Sequence, residues 1–152
     1  MENIIEKEYY DSVKGLTQEV LDSSSVWYNY VLNLPKAQQV VYAVILFHTQ
    51  VENGGFHQYF FNSYGQFAYL TLKNLKLIGS NKRAELLDEA LKHVNHENLN
   101  EAVYRELIFS RKLSRIVNFD KELFKYLNNL DSRYSNIEDE DVYELLEKYL
   151  KE

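Results

Sequence analysis

Apolar residues recur at steps of three and four along nearly the whole chain, and this period restricts the fold more than any other feature. Near the N-terminus, Ile5, Tyr9, Val13, Leu16 and Val20 form the stripe of an amphipathic helix. No stretch sustains the alternation that half-buried strands need. We therefore expect an all-α protein, a compact single-domain bundle of about seven or eight helices over residues 1–152.

The central helix is expected between the only proline and a pair of adjacent glycines. Pro35 suits the first turn of a helix, and the pattern after it runs to about Asn53 and is nearly all apolar in its second half. We predict that Gly54 ends this helix in the left-handed conformation. A short aromatic helix over about 56–64 should follow and end at Gly65.

Punctuating residues predict the other boundaries. The serines at 23–25 offer an N-cap to a short helix with Trp27, and Gly79 closes a helix after which Ser80 can cap the next. Residues 95–100 have the composition of a loop. The last helix is expected to begin near Glu138.

Composition excludes several classes of function. There are 23 acidic and 17 basic side chains, a net charge of −6, so the chain repels nucleic acid and favours basic partners. The absence of cysteine excludes disulfides, thiolate nucleophiles and cysteine-ligated metals. The longest apolar run, Val40 to Phe47, is too short to cross a bilayer, and the N-terminus lacks a signal segment. We expect a cytoplasmic protein that contacts neither membrane nor nucleic acid.

Enzyme motifs are missing from the sequence. There is no glycine-rich nucleotide motif, nucleophile elbow or zincin signature. His93 and His96, with Glu89 one turn before His93, can approach a metal, but a solvated helix end explains them better and no further ligand is evident. His48, on the apolar helix, is interpreted as a hydrogen-bonded core residue. We predict a non-enzymatic protein without catalytic residues, metal or cofactor.

Acidic side chains cluster near the C-terminus, without an intervening base. If the last helix includes them all, Glu140, Glu144 and Glu147 share a face at axial steps of about 6 and about 4.5 Å. Phosphates of one DNA strand are spaced comparably, at roughly 3.4 or 7 Å. The alternative is that acids at a helix N-terminus satisfy free N–H groups. The candidate partner-binding residues are Glu138, Asp139, Glu140, Asp141, Glu144 and Glu147. The first helix adds Glu2, Glu6, Glu8 and Asp11.

The residues around the two glycines are rich in amides and aromatic rings. Asn53, Gln58 and Asn62 can line a small pocket among these rings, with His57 as the titratable group. The other interpretation, which we favour, is structural: a helix corner at which Gln58 and Asn62 satisfy freed backbone groups. The motif residues are Asn53, Gly54, Gly55, Phe56, Gln58, Tyr59 and Asn62.

This motif resembles the bacterial DNA-mimic protein family, whose shared domain was first catalogued as one of unknown function. The resemblance lies in Glu52-Asn53-Gly54-Gly55-Phe56-His57-Gln58-Tyr59-Phe60 with Asn62 and Gly65. A weaker match covers Leu130-Asp131-Ser132-Arg133-Tyr134 and the stretch Tyr143-Glu144-Leu145-Leu146-Glu147-Lys148-Tyr149-Leu150, so that the family-like region is about 35–151. It implies an all-α fold and a protein whose acidic side chains replace DNA phosphates and hold a transcription factor off its operator.

The sequence departs from a strong mimic in its charge. Residues 72–125 carry 11 basic against 8 acidic side chains, so the acidic surface is not continuous along the chain. Our leading hypothesis is an acidic face that docks on a basic protein, DNA-binding proteins included. An immunity-type protein that neutralises a toxin is one alternative, and a small-ligand binder or enzyme using the 53–62 pocket is another. The partner and the oligomeric state stay open.

Overall fold

The computed structural model describes residues 3–152 and confirms the all-α class. Within that range there is no strand, and eight helices have nine residues or more, as the periodicity predicts. Two single-turn helices and one 3₁₀ turn, Tyr64–Phe67, complete the chain. The helices are α1 Ile4–Val13, α2 Gln18–Leu21, α3 Ser24–Leu32, α4 Lys36–Phe61, α5 Ala68–Leu77, α6 Asn81–Val94, α7 Glu101–Phe109, α8 Ser114–Val117, α9 Lys121–Ser135 and α10 Val142–Lys151.

Helix α4 is the centre of the molecule. Its 26 residues bury Val40, Val44, Phe47, Val51 and other side chains almost completely, because the apolar positions surround the helix instead of forming one stripe. Helices α1, α5 and α9 pack against it, α6 lies against α5 and α9, and α10 contacts α1. No helix within residues 3–152 combines the length and apolarity required to cross a membrane.

A second, smaller group of apolar side chains lies beneath α3. Ser23 caps this helix as predicted, its hydroxyl accepting from the Val26 amide at 3.4 Å. Trp27 packs edge-on against Phe67, and its indole N–H donates to the Tyr42 hydroxyl at 3.1 Å. The bonded indole and hydroxyl allow both large rings to be buried.

The boundaries around the glycine pair differ from those predicted. Helix α4 does not end before Gly54 but continues to Phe61 through a kink, at which Gly55 has a φ of 83°. The aromatic segment ends at Phe61, earlier than the end at Gly65 that we predicted, and Ser63 follows in the left-handed conformation (φ 71°). Gly65 instead lies against Phe60, where a β-carbon would come within 2.5 Å of the ring. Close contact, and not backbone conformation, explains this glycine.

Candidate functional site

The acidic segment lies mostly outside the last helix. Helix α10 begins at Val142, four residues later than predicted, and Asp141 caps it by accepting from the Tyr143 and Glu144 amides at 2.9 and 3.1 Å. Glu140 therefore precedes the helix and does not share a face with Glu144 and Glu147, so the proposed spacing of three carboxylates is wrong. The interpretation of acids as helix caps is confirmed for Asp141.

Glu140 is directed into the molecule. Its carboxylate accepts from the Ser80 hydroxyl at 2.8 Å and from the Lys82 amide at 2.7 Å, and it lies 3.4 Å from the Arg83 guanidinium. Only 11% of its side chain is exposed. Glu140 thus caps the N-terminus of α6, a role that we had predicted for Ser80. The Ser80 side chain makes no cap bond of its own; its hydroxyl donates to the carboxylate, which takes the Lys82 amide.

Two further acids of the segment form exposed ion pairs. Asp139 lies 2.6 Å from the Lys82 ammonium, whose hydrogen bond lowers the pKa of the carboxyl. Glu147 lies 2.6 Å from Lys151, one turn later on α10. Such pairs are solvated and add little stability, but each offsets the charge that the acid presents to a partner.

Glu138 and Glu144 are the acids of this segment that stay exposed and uncompensated. Neither forms an ion pair with any residue in the range 3–152, and neither bonds through its carboxylate to a backbone amide there. Of the six candidate residues, these two have the full negative charge available at the surface. Asp141 is also exposed and outside any such ion pair, with one oxygen engaged in its cap.

The acids of the first helix divide in the same way. Glu2 lies outside the described residues. Glu8 and Asp11 lie within 4.0 and 3.1 Å of the Lys7 ammonium, and Asp11 is also 2.8 Å from Lys14. Glu6 is exposed, and α1 packs beside α10.

The kink at Gly55 is held by a carboxylate from a distant helix. Asp131 of α9 accepts from the Phe56 amide at 2.8 Å. A β-carbon on Gly55 would lie 2.3 Å from the same carboxylate, so the position requires glycine for its φ and for the approach of Asp131. Burial raises the pKa of Asp131, and the Phe56 amide opposes this shift. The two sequence motifs of the resemblance therefore meet in space.

The amides of the motif do not cap the freed backbone, contrary to our prediction. Gln58 and Asn62 both donate to the side-chain oxygen of Gln50, at 3.0 and 3.2 Å. The Gln58 side chain fills the space beside Gly54, where a β-carbon would fall 1.8 Å from its oxygen. A side chain at position 54 would therefore have to displace the Gln58 side chain, and the left-handed residue is Gly55.

The predicted pocket among these amides is not formed by the residues named for it. Phe56, Tyr59 and Phe60 are buried in the main core. His57 is also buried, stacks on Phe119 at 4.4 Å and donates through Nε2 to the Ile116 carbonyl at 3.0 Å. Burial lowers its pKa.

A buried polar network connects the corner to the acidic segment. His48, a core residue as predicted, lies 2.5 Å from the Tyr134 hydroxyl through Nδ1 and 3.0 Å from Glu52 through Nε2. Since an ionised carboxylate can only accept, Nε2 carries the proton and Nδ1 accepts from Tyr134 when the ring is neutral. Burial lowers the pKa of His48. The Arg83 guanidinium lies 5.2 Å from the centre of the Tyr134 ring and pairs with Glu140.

An open groove of about 560 Å³ lies over this network. One wall is formed by residues 51–55 of α4 and the other by α9 and the turn after it, with Arg83 of α6 between them. The lining side chains beyond 51–55 are Arg83, Asp131, Ser132, Tyr134, Ser135 and Ile137. Among the motif residues the groove is lined by Asn53, Gly54 and Gly55, but not by Gln58 or Asn62, which we had expected to line a pocket.

The histidines considered for metal binding take separate roles. His93 donates through Nδ1 to the Glu89 carbonyl at 3.0 Å and stacks on Tyr126 at 3.6 Å. His96 accepts from Arg115 at 3.2 Å. Within residues 3–152 no three histidine, aspartate or glutamate side chains are grouped so that they could hold a metal ion.

Sequence reasoning missed three residues of the site. Asp131 is part of the weaker motif, and its position within α9 gives no indication that its carboxylate bonds to the backbone of another helix. Arg83 had the pattern of a surface charge and is buried. Gln50 was not singled out, although it lies eight and twelve positions before Gln58 and Asn62.

A family model described as DMP19-like protein matches residues 32–152 of this chain. This range contains the glycine corner, α9 and the acidic segment, and it agrees with the region of 35–151 expected from the resemblance. Comparison with curated proteins and with solved structures found no match.

Proposed function

Because the chain belongs to the DMP19-like protein family, we propose that it binds a basic protein surface, that of a DNA-binding protein, and occupies the place of DNA there. The family supports a non-enzymatic role with protein partners. We expect this binding to take place in the cytoplasm, where a bacterial DNA-binding protein meets its operator. Mimicry requires carboxylates that are solvent-exposed and not already neutralised by the protein itself.

The observation that carries the proposal is the unequal fate of the six acidic residues of the segment. Glu140 is turned inward, and Asp139 and Glu147 face lysines at 2.6 Å. Glu138 and Glu144 are exposed and outside the ion pairs found in residues 3–152, with Asp141 between them in the sequence. The proposed contact face therefore centres on Glu138, Asp141 and Glu144.

Helix packing supports an extension of this face. Helix α1 lies against α10, so that exposed Glu6 belongs to the helix next to Glu144. A net charge of −6 adds long-range attraction for a basic partner. At physiological salt the Debye length is about 8 Å, so the association rate should fall as salt is raised.

The test begins by capturing partners from lysate of the source organism, with salt elution and mass spectrometry, and continues with the purified partner. The double variant Glu138→Lys/Glu144→Lys is compared with Glu97→Lys/Glu106→Lys. The control pair is also exposed, lies in the loop after α6 and on α7, and changes net charge by the same amount. We expect the first variant to weaken binding by at least about tenfold and the control to change it much less.

Competition with DNA identifies the kind of partner. A duplex carrying the operator of the captured protein should displace the wild-type chain, because both require the same basic surface. Equal binding by the two double variants, or binding unaffected by the duplex, would contradict the proposal. A captured toxin whose catalysis is blocked would instead establish the immunity-type alternative.

A further inference from the structure

The groove at the glycine corner has an excess of negative charge on its α4 and α9 walls. Glu52 and Asp131 both line it. Asp131 uses one oxygen for the Phe56 amide and forms no ion pair with the part of the chain that the structure describes. Glu52 is 61% exposed and bonds to His48, whose pKa burial lowers, so that the neutral imidazole does not offset the carboxylate charge at pH 7.

The third contributor, Arg83, is an incompletely bonded cation. Arg83 is buried, with only 6% of its surface exposed, and it lines the groove. Its Nη1 atom faces Glu140, and neither its Nε–H nor its Nη2 forms a hydrogen bond with an acceptor among residues 3–152. The Nε–H is enclosed by the protein, so the guanidinium nitrogen left for an oxygen supplied by a ligand is Nη2.

The negative charge of Glu52 and Asp131 and the unbonded guanidinium of Arg83 together determine which kind of ligand fits the groove. A simple anion would satisfy Arg83 but be repelled by Glu52 and Asp131, and a metal ion would leave the Arg83 N–H without an acceptor. A peptide with a lysine or arginine offers a cation and a neutral main-chain carbonyl. Tyr134, which the Arg83 guanidinium faces, lies three residues after Asp131 on α9, about 4.5 Å along the axis. One lysine or arginine of a peptide can therefore place its side chain at Asp131 while its own main-chain carbonyl lies at Arg83.

We propose that this groove binds a basic peptide segment, with a lysine or arginine side chain between Glu52 and Asp131 and a main-chain carbonyl accepting from Arg83 Nη2. The inference rests on the proposed function in that it names the element of the basic partner that enters the molecule. It also gives the glycine pair a second role, since residues 54 and 55 leave this wall without side chains.

The probe is the capped tripeptide acetyl-Ala-Arg-Ala-amide, with the citrulline peptide as its uncharged isostere. Titration into the ¹⁵N-labelled protein is followed by amide resonances and by the signal of the Arg83 Nη2 hydrogens, which reports on a new acceptor. We expect shifts at Gly54, Gly55 and Arg83 Nη2 with the arginine peptide, and at least about tenfold weaker binding of the citrulline peptide. Equal binding of both peptides, or shifts that avoid the groove, would overturn the inference.

Two conservative variants locate the cation. Glu52→Gln changes an exposed side chain, and Asp131→Asn keeps an oxygen that can accept from the Phe56 amide, so both should fold. Each should weaken the arginine peptide several-fold, by about three to ten times. Unchanged affinity in both variants would remove the proposed cation position.

The Glu138→Lys/Glu144→Lys variant distinguishes a failure of the groove inference from a failure of the proposed acidic face. If it loses the protein partner while the wild type shows no peptide binding at the groove, the surface mimicry stands and the groove inference fails. If the peptide binds the groove of wild type but partner binding does not depend on Glu138 and Glu144, the acidic face fails and the groove remains.

Discussion

Two pairs of carboxylates in this protein have the same chemistry in the sequence and opposite roles in the structure. Asp131 and Glu140 each reach across to another helix and accept from its backbone, at Phe56 and Lys82. Glu138 and Glu144 point to solvent and make no such bond to residues 3–152. Glu138 and Glu140 are only two positions apart, so proximity in the chain does not assign the role.

The difference shows which charge is available to a partner. Glu140 caps a helix and pairs with a buried arginine, so it stabilises the fold and its charge is largely compensated there. Asp131 also holds a backbone amide but has no arginine partner within residues 3–152, so its charge remains on the wall of the groove. An exposed carboxylate contributes little to stability but can be neutralised by a basic surface. A count of acidic residues therefore overstates the proposed contact face, which depends on the acids that the fold has not used.

The largest expected effect comes from removing Glu140. Glu140→Ala leaves the buried Arg83 without its counter-ion and the start of α6 without its cap, and should lower the free energy of unfolding by about 4 kcal/mol. Glu138→Ala, two residues away, should change it by less than about 0.5 kcal/mol. Urea denaturation measures both. Similar losses in the two variants would erase the distinction between interior and exposed acids.

The second comparison uses two glycines with nearly the same φ. A β-carbon added at Gly55 (φ 83°) would lie 2.3 Å from the Asp131 carboxylate. A β-carbon added at Gly79 (φ 86°) would have no neighbouring atom of residues 3–152 within 4 Å. Gly79→Ala should cost about 1 kcal/mol for backbone strain alone. Gly55→Ala should cost about 3 kcal/mol, since it also displaces the Asp131 cap. Thermal unfolding of the two variants gives the difference, and equal costs would mean that Asp131 does not hold the kink.

The smallest expected effect is a pH dependence of the free energy of unfolding that comes from His48. Burial lowers the pKa of His48 in the folded protein, where Glu52, Asp141, Arg83, Tyr134 and Tyr143 face it. The unfolded chain then binds the proton more strongly, so the free energy of unfolding should fall as pH drops below the ordinary histidine value of 6.5.

Comparison of variants isolates this histidine from the others. His57 has a pKa that burial also lowers and contributes in the same direction, so the wild-type profile alone is not sufficient. His48→Gln should flatten the loss of stability between about pH 6.5 and 5. Asn129→Gln, an exposed change on α9 that removes no titratable group, serves as the control and should leave the profile unchanged. A His48→Gln profile identical to wild type would exclude His48 as a contributor.

Local patterns were sufficient for most of the fold. The serine cap of α3 and the apolar second half of α4 each predicted an element that the structure contains. The stripe beginning at Ile5 predicted α1 correctly only as far as Val13, since Leu16 lies in the connection after α1 and Val20 in the separate helix α2. The errors occur where a side chain from elsewhere replaces the local solution. Ser80 does not cap α6 because Glu140, sixty positions later, accepts from the same helix start.

The candidate site was less predictable for the same reason. The sequence identified the glycine pair and the acidic segment separately, and gave no indication that Arg83, Tyr134 and His48 connect them. A buried arginine and an exposed one have the same letter and similar neighbours in the chain. Only the position of α6 against α9 distinguishes them.

The sequence by itself determined the helical class, the central helix, the family and the set of acidic residues, because these depend on periodicity, composition and short motifs. Tertiary structure decided which acids are exposed, which glycine takes the left-handed conformation and where the groove opens. These properties depend on contacts between residues up to 75 positions apart, as between Phe56 and Asp131. Such contacts exist only after helix packing has placed a donor and an acceptor within about 3 Å of each other.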